Sequence, residues 1–424
     1  MKEKIVNLIA DHVEGMTAEE IATFIEIPPK QELGDYAFPC FRLAKTMHKA
    51  PNLIAADIKE AIGDVDFLDK IDVQGAYLNF FVKKDIFVQT MIEAAVKDNF
   101  GGSNEGADKV ICIDYSSPNV AKNFHVGHLR TTIIGNSLYK IYSKLGYKVI
   151  RINHLGDWGT QFGKLIVAYK NWGTKEAVEK DGVAELMRLY VKFHEEADKN
   201  PELVDEARAW FSKMEHGDEE ALSIWQWFKD ISLVEYKRTY DLLGMDFDYY
   251  LGESFYRDKC QEVVDQLTNA NLLKESEGAM IVDLSDYDMA PCIVTKKDGS
   301  SIYATRDLAA IFYRKNTYHF TKCLYVTGQE QKLHFAQVFK VVELLGNDWA
   351  KDSLVHIPYG LVSLEGAKLS TRSGNIIYAE DILHDAIKKS FEIISEKSPN
   401  LPDKEEVAKI IGVGSVLFND LYNQ

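Results

Sequence analysis

The sequence predicts an α/β protein whose core is a doubly wound parallel sheet. A β-branched apolar run at 110–116 is followed by a long helical pattern at about 126–145, and then by a second apolar run at 147–153. A strand, a helical crossover and a second strand predict parallel strands joined by a right-handed connection. The next residues, at about 160–275, are mostly helical and charged, which predicts a helical insertion between two halves of this Rossmann-type core.

The patterns on either side predict two further domains. Residues 1–104 alternate helical and strand-like patterns and end in a glycine-rich loop, so we expect a separate N-terminal α+β domain there. The core domain is predicted at 105–385, and helical residues at 386–424 are expected to begin a helical domain that stops short. Further strands are predicted near 75–82, 279–284, 292–296, 324–327 and 356–362.

Composition excludes several classes of protein. The 424 residues carry 49 Lys+Arg against 65 Asp+Glu, a net charge of −16, and 46% of them are hydrophobic. This is too much apolar material for a disordered chain. No window approaches the ~18 uncharged apolar residues of a membrane span, so a soluble protein is expected. The five scattered cysteines show no zinc-ligand spacing, and their odd number favours a reducing, cytoplasmic location. The acidic balance alone argues against nucleic acid as a partner.

The loop at 116–128 is predicted to face phosphate. It lies between the end of a parallel strand and the start of a helix, where open α/β sheets bind ligands and helix N–H groups attract anions. His125 and His128 are three residues apart and share one face of the first turn, while Gly127 allows a close approach. The histidines could instead cap the helix or bind a metal, but no third metal ligand follows at a useful spacing.

Several motifs together resemble one family. His125-Val126-Gly127-His128 resembles the His-Ile-Gly-His signature of class I aminoacyl-tRNA synthetases, and the string from Ser116 to Arg130 is similar to the form found in arginyl-tRNA synthetases. Five further segments resemble that family in the same order, namely 34–37, 75–79, 154–163, 303–307 and 327–334. The resemblance implies catalytic roles for His125, His128 and Lys368.

A second signature of this class is a mobile Lys-Met-Ser-Lys-Ser loop that holds ATP. Residues 368–375 resemble it, although threonine and arginine replace its fourth and fifth positions. Lys368 or Arg372 could meet the phosphates, as a point charge or a planar fork. The predicted ATP-binding residues are Gly127, Lys122, His334, Ser370 and Arg372.

A pocket for arginine needs planar acceptors for its guanidinium. Tyr303 and Asp307 are four residues apart at the start of a predicted helix and therefore share a face. The resemblance implies that they bind the guanidinium, although each could instead serve the helix or the core. The complete predicted set is Asp114, Ser117, Asn119, Tyr303, Asp307 and Gln331. His154, Asp157, Trp158 and Gln161 are expected near the same crevice, in roles that the sequence does not define.

The resemblance implies an AMP-forming ligase that activates arginine with ATP, accompanied by Mg²⁺, and transfers it to the terminal adenosine of tRNA(Arg). Domain 1–104 is then expected to contact the tRNA through a locally basic face on an otherwise acidic monomer. The short last domain is expected to weaken tRNA binding. Two alternatives are a smaller His-x-Gly-His nucleotidyltransferase and a truncated relative that binds tRNA without charging it.

Overall fold

The computed structural model describes residues 1–296, 302–360 and 377–423, and the backbone of Ser363–Leu364 and Ala367–Lys368. The chain divides into two compact units, Met1–Gly102 and Ser103–Gln424. Among the helices of the described residues, none is both long enough and apolar enough to cross a membrane.

The first unit is a three-stranded antiparallel sheet with helices. Its sheet order is β1-β3-β2, and the predicted strand near 75–82 is its central strand. Ile5, Ile54 and Phe80 are fully buried in its apolar core. The strands are β1 (Tyr36–Pro39), β2 (Leu68–Gln74) and β3 (Tyr77–Val82), and the helices are α1 (Lys2–Ala10), α2 (Ala18–Phe24), α3 (Ala44–Met47), α4 (Pro51–Ile62) and α5 (Lys84–Ala95).

The second unit contains the predicted parallel sheet. Its five strands lie in the order β11-β10-β4-β5-β6, and all neighbours are parallel. The chain starts in the middle, moves outward to one edge and returns to the other side of β4, so the order reverses between β4 and β10. The strands are β4 (Val110–Asp114), β5 (Lys148–Asn153), β6 (Tyr249–Tyr250), β10 (Lys322–Gly328) and β11 (Leu354–Tyr359). The doubly wound fold class is therefore confirmed.

Two predicted strands lie outside this sheet. The runs near 279–284 and 292–296 pair with a strand at Leu273–Ser276 in a separate antiparallel sheet, ordered β7-β8-β9. Glu277 and Gly278 both have positive φ and join β7 to β8 as a two-residue hairpin, which directs these strands away from a parallel arrangement. The strands are β7 (Leu273–Ser276), β8 (Ala279–Val282) and β9 (Cys292–Thr295).

Helices surround the parallel sheet and fill most of the region predicted as an insertion. Within that region the chain also returns to the sheet through β6. The helices are α6 (Val126–Lys144), α7 (Thr160–Trp172), α8 (Lys175–Ala197), α9 (Glu202–Glu215), α10 (Glu219–Leu243), α11 (Glu253–Tyr256), α12 (Cys260–Asn269), α13 (Tyr303–Tyr318), α14 (Lys332–Leu344), α15 (Ala350–Ser353), α16 (Ala379–Lys397) and α17 (Lys404–Tyr422). Two short strands, β12 (Ser363–Leu364) and β13 (Ala367–Lys368), pair with each other.

Candidate active site

The loop from β4 to α6 has an unusual backbone. Ser116, Ser117 and Ala121 all have positive φ, at 72°, 47° and 61°, a region that side chains disfavour. Buried hydroxyl groups hold the first of these residues. The Ser116 N–H donates to Thr131 Oγ1 at 3.2 Å, and the Ser116 hydroxyl lies 2.8 Å from that of Thr132. Side chains of the following helix, α6, thus hold the strained loop in place.

Helix α10 of the inserted region fixes the same loop from the other side. Tyr240 Oη lies 2.7 Å from Ser116 Oγ, and Tyr236 Oη lies 2.6 Å from the Asn119 carbonyl oxygen. Ser232 Oγ accepts a hydrogen bond from the Ala121 N–H at 3.0 Å. Sequence reasoning missed this support. The four-residue spacing of Ser232, Tyr236 and Tyr240 was the available signal, because it places all three on one helix face.

The two histidines of this loop pack ring against ring. Their centroids are 3.9 Å apart with an interplanar angle of 26°. His125 Nδ1 accepts from the Gly127 N–H at 3.1 Å, and His128 Nδ1 accepts from the His125 N–H at 3.3 Å. In a neutral imidazole whose Nδ1 accepts, the proton is on Nε2. Both rings therefore cap the helix, as one alternative held, and each keeps an Nε2–H group that can donate to an anion.

The charge state of these rings agrees with that tautomer. Burial lowers the pKa of His125, and the positive charge of Lys122 lowers it further. Burial also holds the pKa of His128 well below its usual value, with smaller contributions from His125 and Lys122. Both rings are therefore neutral near pH 7, and the cation beside them is Lys122.

The chain returns to this loop after residues 361–376. The Val126 N–H donates to the Ile377 carbonyl at 3.1 Å, the Ala379 N–H donates to the Phe124 carbonyl at 3.1 Å, and His125 forms a bridge with Tyr378. Ile377, Tyr378 and Ala379 thus lie beside the histidines. Ser370 and Arg372 lie outside the described residues, as does the Lys368 side chain.

Asp114, at the end of β4, already has partners within the chain. Its Oδ2 lies 2.8 Å from Nη2 of the fully buried Arg314, and its Oδ1 accepts from the Ser117 hydroxyl at 3.0 Å. The ring of His154 lies against the same Arg314 group, at 3.0 Å. Two residues predicted to bind arginine, Asp114 and Ser117, are therefore together, but one carboxylate oxygen of Asp114 is occupied by an internal guanidinium.

The other predicted acid, Asp307, pairs with His334, which the sequence predicts to bind ATP. His334 Nε2 lies 2.6 Å from Asp307 Oδ2. This contact places His334 beside the residue predicted to bind arginine. Tyr303, at the first position of α13, is 66% exposed, and the Arg306 guanidinium lies 5.0 Å from its ring centroid. Asn119 and Gln331 are both exposed at the carboxyl edge of the sheet.

Asp157 has a structural role. Its carboxylate is fully buried, 2.6 Å from Lys229 Nζ, and accepts from both the N–H and the hydroxyl of Ser254 at 2.8 and 2.7 Å. It therefore ties the end of β5 to α10 and to α11. Trp158 is buried beside Trp225, whereas Gln161 is half-buried on α7.

Glu253 is a buried acid near Asp307 that sequence reasoning missed. Its Oε2 is 3.6 Å from Arg306 Nε, and burial raises its pKa to about 7, with Asp307 and Asp157 adding to the rise and Arg306 opposing it. A carboxyl group that stays protonated in a folded protein up to such a pH is typical of functional sites. No distinct sequence pattern marks this residue.

We expect Glu253→Gln to change the pH dependence of stability. Between the pKa of an unfolded glutamate and about 7, only the folded state holds the Glu253 proton. The free energy of unfolding of the wild type therefore falls as pH rises through this window. Between pH 5 and 8, the variant should gain roughly 2–4 kcal/mol relative to the wild type.

Urea denaturation at both pH values measures this difference. Glu275→Gln, at an exposed position of β7, is the matched control and should leave the pH slope unchanged. Parallel slopes for the wild type and Glu253→Gln would contradict the assignment.

Comparison with known proteins identifies the family of this chain. The family model "tRNA synthetases class I (R), catalytic domain" matches residues 90–424, and "Arginyl tRNA synthetase N terminal domain" matches 2–82. The fold is thus that of a class I synthetase catalytic domain. Arginine–tRNA ligases of Alkaliphilus metalliredigens and Clostridioides difficile are 56% and 54% identical over all 424 residues, which cover 75% of each relative. The chain belongs to the arginyl-tRNA synthetase family.

Solved structures support the same fold. The arginyl-tRNA synthetase of Thermus thermophilus matches with a TM-score of 0.73 at 22% identity, over 99% of this chain and 75% of that one. That of Plasmodium falciparum matches with a TM-score of 0.69 at 21% identity, over 100% and 74%.

Proposed function

We propose that the chain is an arginine–tRNA ligase. It activates L-arginine with ATP to arginyl-adenylate and pyrophosphate, and then transfers the arginyl group to a hydroxyl of the terminal adenosine of tRNA(Arg). The observation that carries this proposal is the pair of neutral imidazoles at the start of α6, each with an Nε2–H donor at the sheet edge where the two acids Asp114 and Asp307 also lie.

In the first step, a carboxylate oxygen of arginine attacks the α-phosphorus of ATP. A new P–O bond forms, the bond to the bridging oxygen breaks, and pyrophosphate leaves. Negative charge spreads over the phosphoryl oxygens, so fixed donors aimed at them lower the barrier. The Nε2–H groups of His125 and His128, the N-terminus of α6 with Gly127, and the Lys122 cation supply this stabilisation. Lys368, Ser370 and Arg372 are proposed to complete it.

The amino acid is held at the same edge of the sheet. The carboxylate of Asp307 accepts from the substrate guanidinium, while Tyr303, exposed four residues earlier, covers it. Ser117 and Asp114 lie on the neighbouring loop, and Asn119 and Gln331 hold the α-amino and carboxylate end. Lysine carries the same charge but cannot fill planar acceptors, so it would leave them unpaired.

The second step requires tRNA. The hydroxyl of the terminal adenosine attacks the arginyl carbonyl carbon, and AMP leaves. Residues 1–104 are proposed to contact the tRNA, and this unit carries exposed Phe41 and Tyr77 in edge-to-face contact, with the Arg42 guanidinium 5.5 Å from the Phe41 ring centroid. Exposed aromatics beside a cation suit unpaired bases.

Three finer points complete the proposal. Mg²⁺ accompanies ATP and is held by its phosphates. In the described part of the chain, no group of three or more His, Cys, Asp or Glu side chains could hold a metal ion. The enzyme acts as a monomer in the cytoplasm. Buried free thiols at Cys40, Cys112, Cys292 and Cys323 are in keeping with a reducing compartment.

Arginine-dependent exchange between ATP and labelled pyrophosphate tests the function. We expect exchange with L-arginine, stimulated by tRNA(Arg), and at least tenfold less with lysine at equal concentration. Equal exchange with another amino acid would overturn the proposal. Nucleotide turnover indifferent to arginine would indicate the smaller nucleotidyltransferase, and tRNA binding without exchange would indicate the non-charging relative.

A further inference from the structure

The wall of the proposed arginine pocket contains an arginine of the chain itself. The side chain of Arg314, on α13, is 0% exposed. Its Nη2 lies 2.8 Å from Asp114 Oδ2 and 3.0 Å from His154 Nδ1. Its guanidinium lies 5.8 and 5.5 Å from the ring centroids of Tyr256 and Tyr325. One Arg314 group therefore touches two side chains at the ends of β4 and β5.

The contact with His154 fixes the tautomer of that ring. A guanidinium is always protonated and has no acceptor, so His154 Nδ1 must be the acceptor of this hydrogen bond. The ring proton then lies on Nε2, and the ring is neutral. Asp114 Oδ2 is 3.9 Å from the same Nδ1, too far for a hydrogen bond. The ring stacks on Tyr256 with an interplanar angle of 7°, which fixes its orientation.

The charged groups around His154 have opposite effects on its pKa. Three carboxylates face the ring, namely Asp114 at the end of β4, Asp307 on α13 and Asp157 in the loop that carries His154. Arg314 on α13 is the cation, and Tyr256 covers one face of the ring. Burial and Arg314 lower the pKa of His154, whereas the three carboxylates raise it, and the net direction is down. Without Arg314, only burial would oppose the three carboxylates, which favour the protonated ring.

We propose that Arg314 is a positioning residue for arginine selection. It fixes the carboxylate of Asp114 and holds His154 in its neutral, Nε2-protonated form. Because Asp114 already balances the internal guanidinium, Asp307 is the acid left for the substrate, and no imidazolium repels the substrate's charge. This inference rests on the proposed function.

Four variants test it through the Michaelis constant for arginine. In Arg314→Lys, a single ammonium cannot reproduce the planar contacts to Asp114 and His154. We expect the KM for arginine to rise about tenfold at pH 8, with the KM for ATP within about twofold of the wild type. The comparison set is His154→Gln, the double variant Arg314→Lys with His154→Gln, and Arg151→Lys. Arg151→Lys alters an arginine of β5 that pairs with Asp248, outside the site. It should leave the KM values for arginine and ATP unchanged.

The pH profile separates this role from a general loss of structure. The ratio of the arginine KM of Arg314→Lys to that of the wild type should grow as pH falls from 8 to 6. The ammonium cannot reproduce the hydrogen bond that keeps His154 Nδ1 unprotonated, so the nearby carboxylates then favour protonation of the ring. In this ratio, pH effects on KM that the variant and the wild type share, such as the titration of Glu253, cancel. The ratio of the arginine KM of the double variant to that of His154→Gln should not depend on pH. A ratio for Arg314→Lys that is constant with pH would overturn the proposal.

A measurement on the wild type keeps the proposal testable if Arg314→Lys does not fold. In protein labelled with ¹⁵N-histidine, the signals of His154 are those absent from His154→Gln. We expect an unprotonated Nδ1 and a protonated Nε2 from pH 8 to 6. Titration of this ring at an ordinary histidine pKa would overturn the proposal. Absence of arginine-dependent exchange in the wild type would instead refute the proposed function, which is a different result.

Discussion

His128→Ala is expected to lower the rate of arginine-dependent pyrophosphate exchange about 100- to 1,000-fold, the usual effect of removing a donor aimed at developing charge. The variant loses the Nε2–H group, and it also loses the Nδ1 acceptor that caps the His125 N–H. If the donor acts on the transition state, as we propose, kcat should fall while the KM values for ATP and arginine change little. Steady-state exchange kinetics at pH 7.5 measure this effect.

Two further variants show whether the donor is responsible. His128→Gln keeps an N–H group at similar reach and should recover part of the rate. His216→Ala removes an exposed histidine at the end of α9, whose Nδ1 lies 2.7 Å from the Ser212 carbonyl oxygen, and should exchange at the wild-type rate. A His128→Ala enzyme within about threefold of the wild type would exclude phosphate stabilisation by this ring.

Asp307→Asn is expected to raise the KM for arginine about 100-fold, since charge-assisted hydrogen bonds to the guanidinium are lost while the shape is kept. The KM for ATP should stay near its wild-type value, because we propose that the carboxylate faces the amino acid. Kinetics with each substrate varied in turn measure both constants. Asp348→Asn, at an exposed position before α15, is the control that removes the same charge elsewhere.

His334 provides a related comparison. The sequence suggested that it binds ATP, but the structure places it 2.6 Å from Asp307. If it positions Asp307, His334→Leu should raise the KM for arginine, and His334→Gln, which can still donate to the carboxylate, should raise it less. A rise confined to the KM for ATP would restore the original assignment.

Local patterns were sufficient for the elements that position the site. The apolar run at β4, the helical period of α6 and the positive φ of Gly146 after it all follow from nearby residues. The same holds for α13, which begins at Tyr303 and carries Asp307 one turn later. These features depend on backbone preference and on periodicity, both of which can be read within a short window.

Pairings between distant side chains could not be predicted in this way. Arg314 meets Asp114 from 200 residues further along the chain, and nothing near either residue reveals the contact. The bond between His334 and Asp307 and the buried position of Glu253 likewise depend on how elements pack. Helix α5 shows a further limit, since it has no fully buried residue and its pattern gave no helix prediction. Charge and residue type indicate the chemistry of a site, while tertiary packing decides which groups remain available for a ligand.

The hydrogen bonds from α10 to the loop between β4 and α6 have a consequence for how the protein folds. The contact between Ser116 and Tyr240 joins residues 124 apart in sequence, and the one between Ala121 and Ser232 joins residues 111 apart. The β4, α6 and β5 segments can associate through local contacts, which form early, whereas closing a loop of more than a hundred residues is slow. The β4, α6 and β5 segments can therefore associate before Ser116 and Ser117 reach their final geometry. A nascent chain that has not yet docked α10 would contain this β-α-β unit without a competent site.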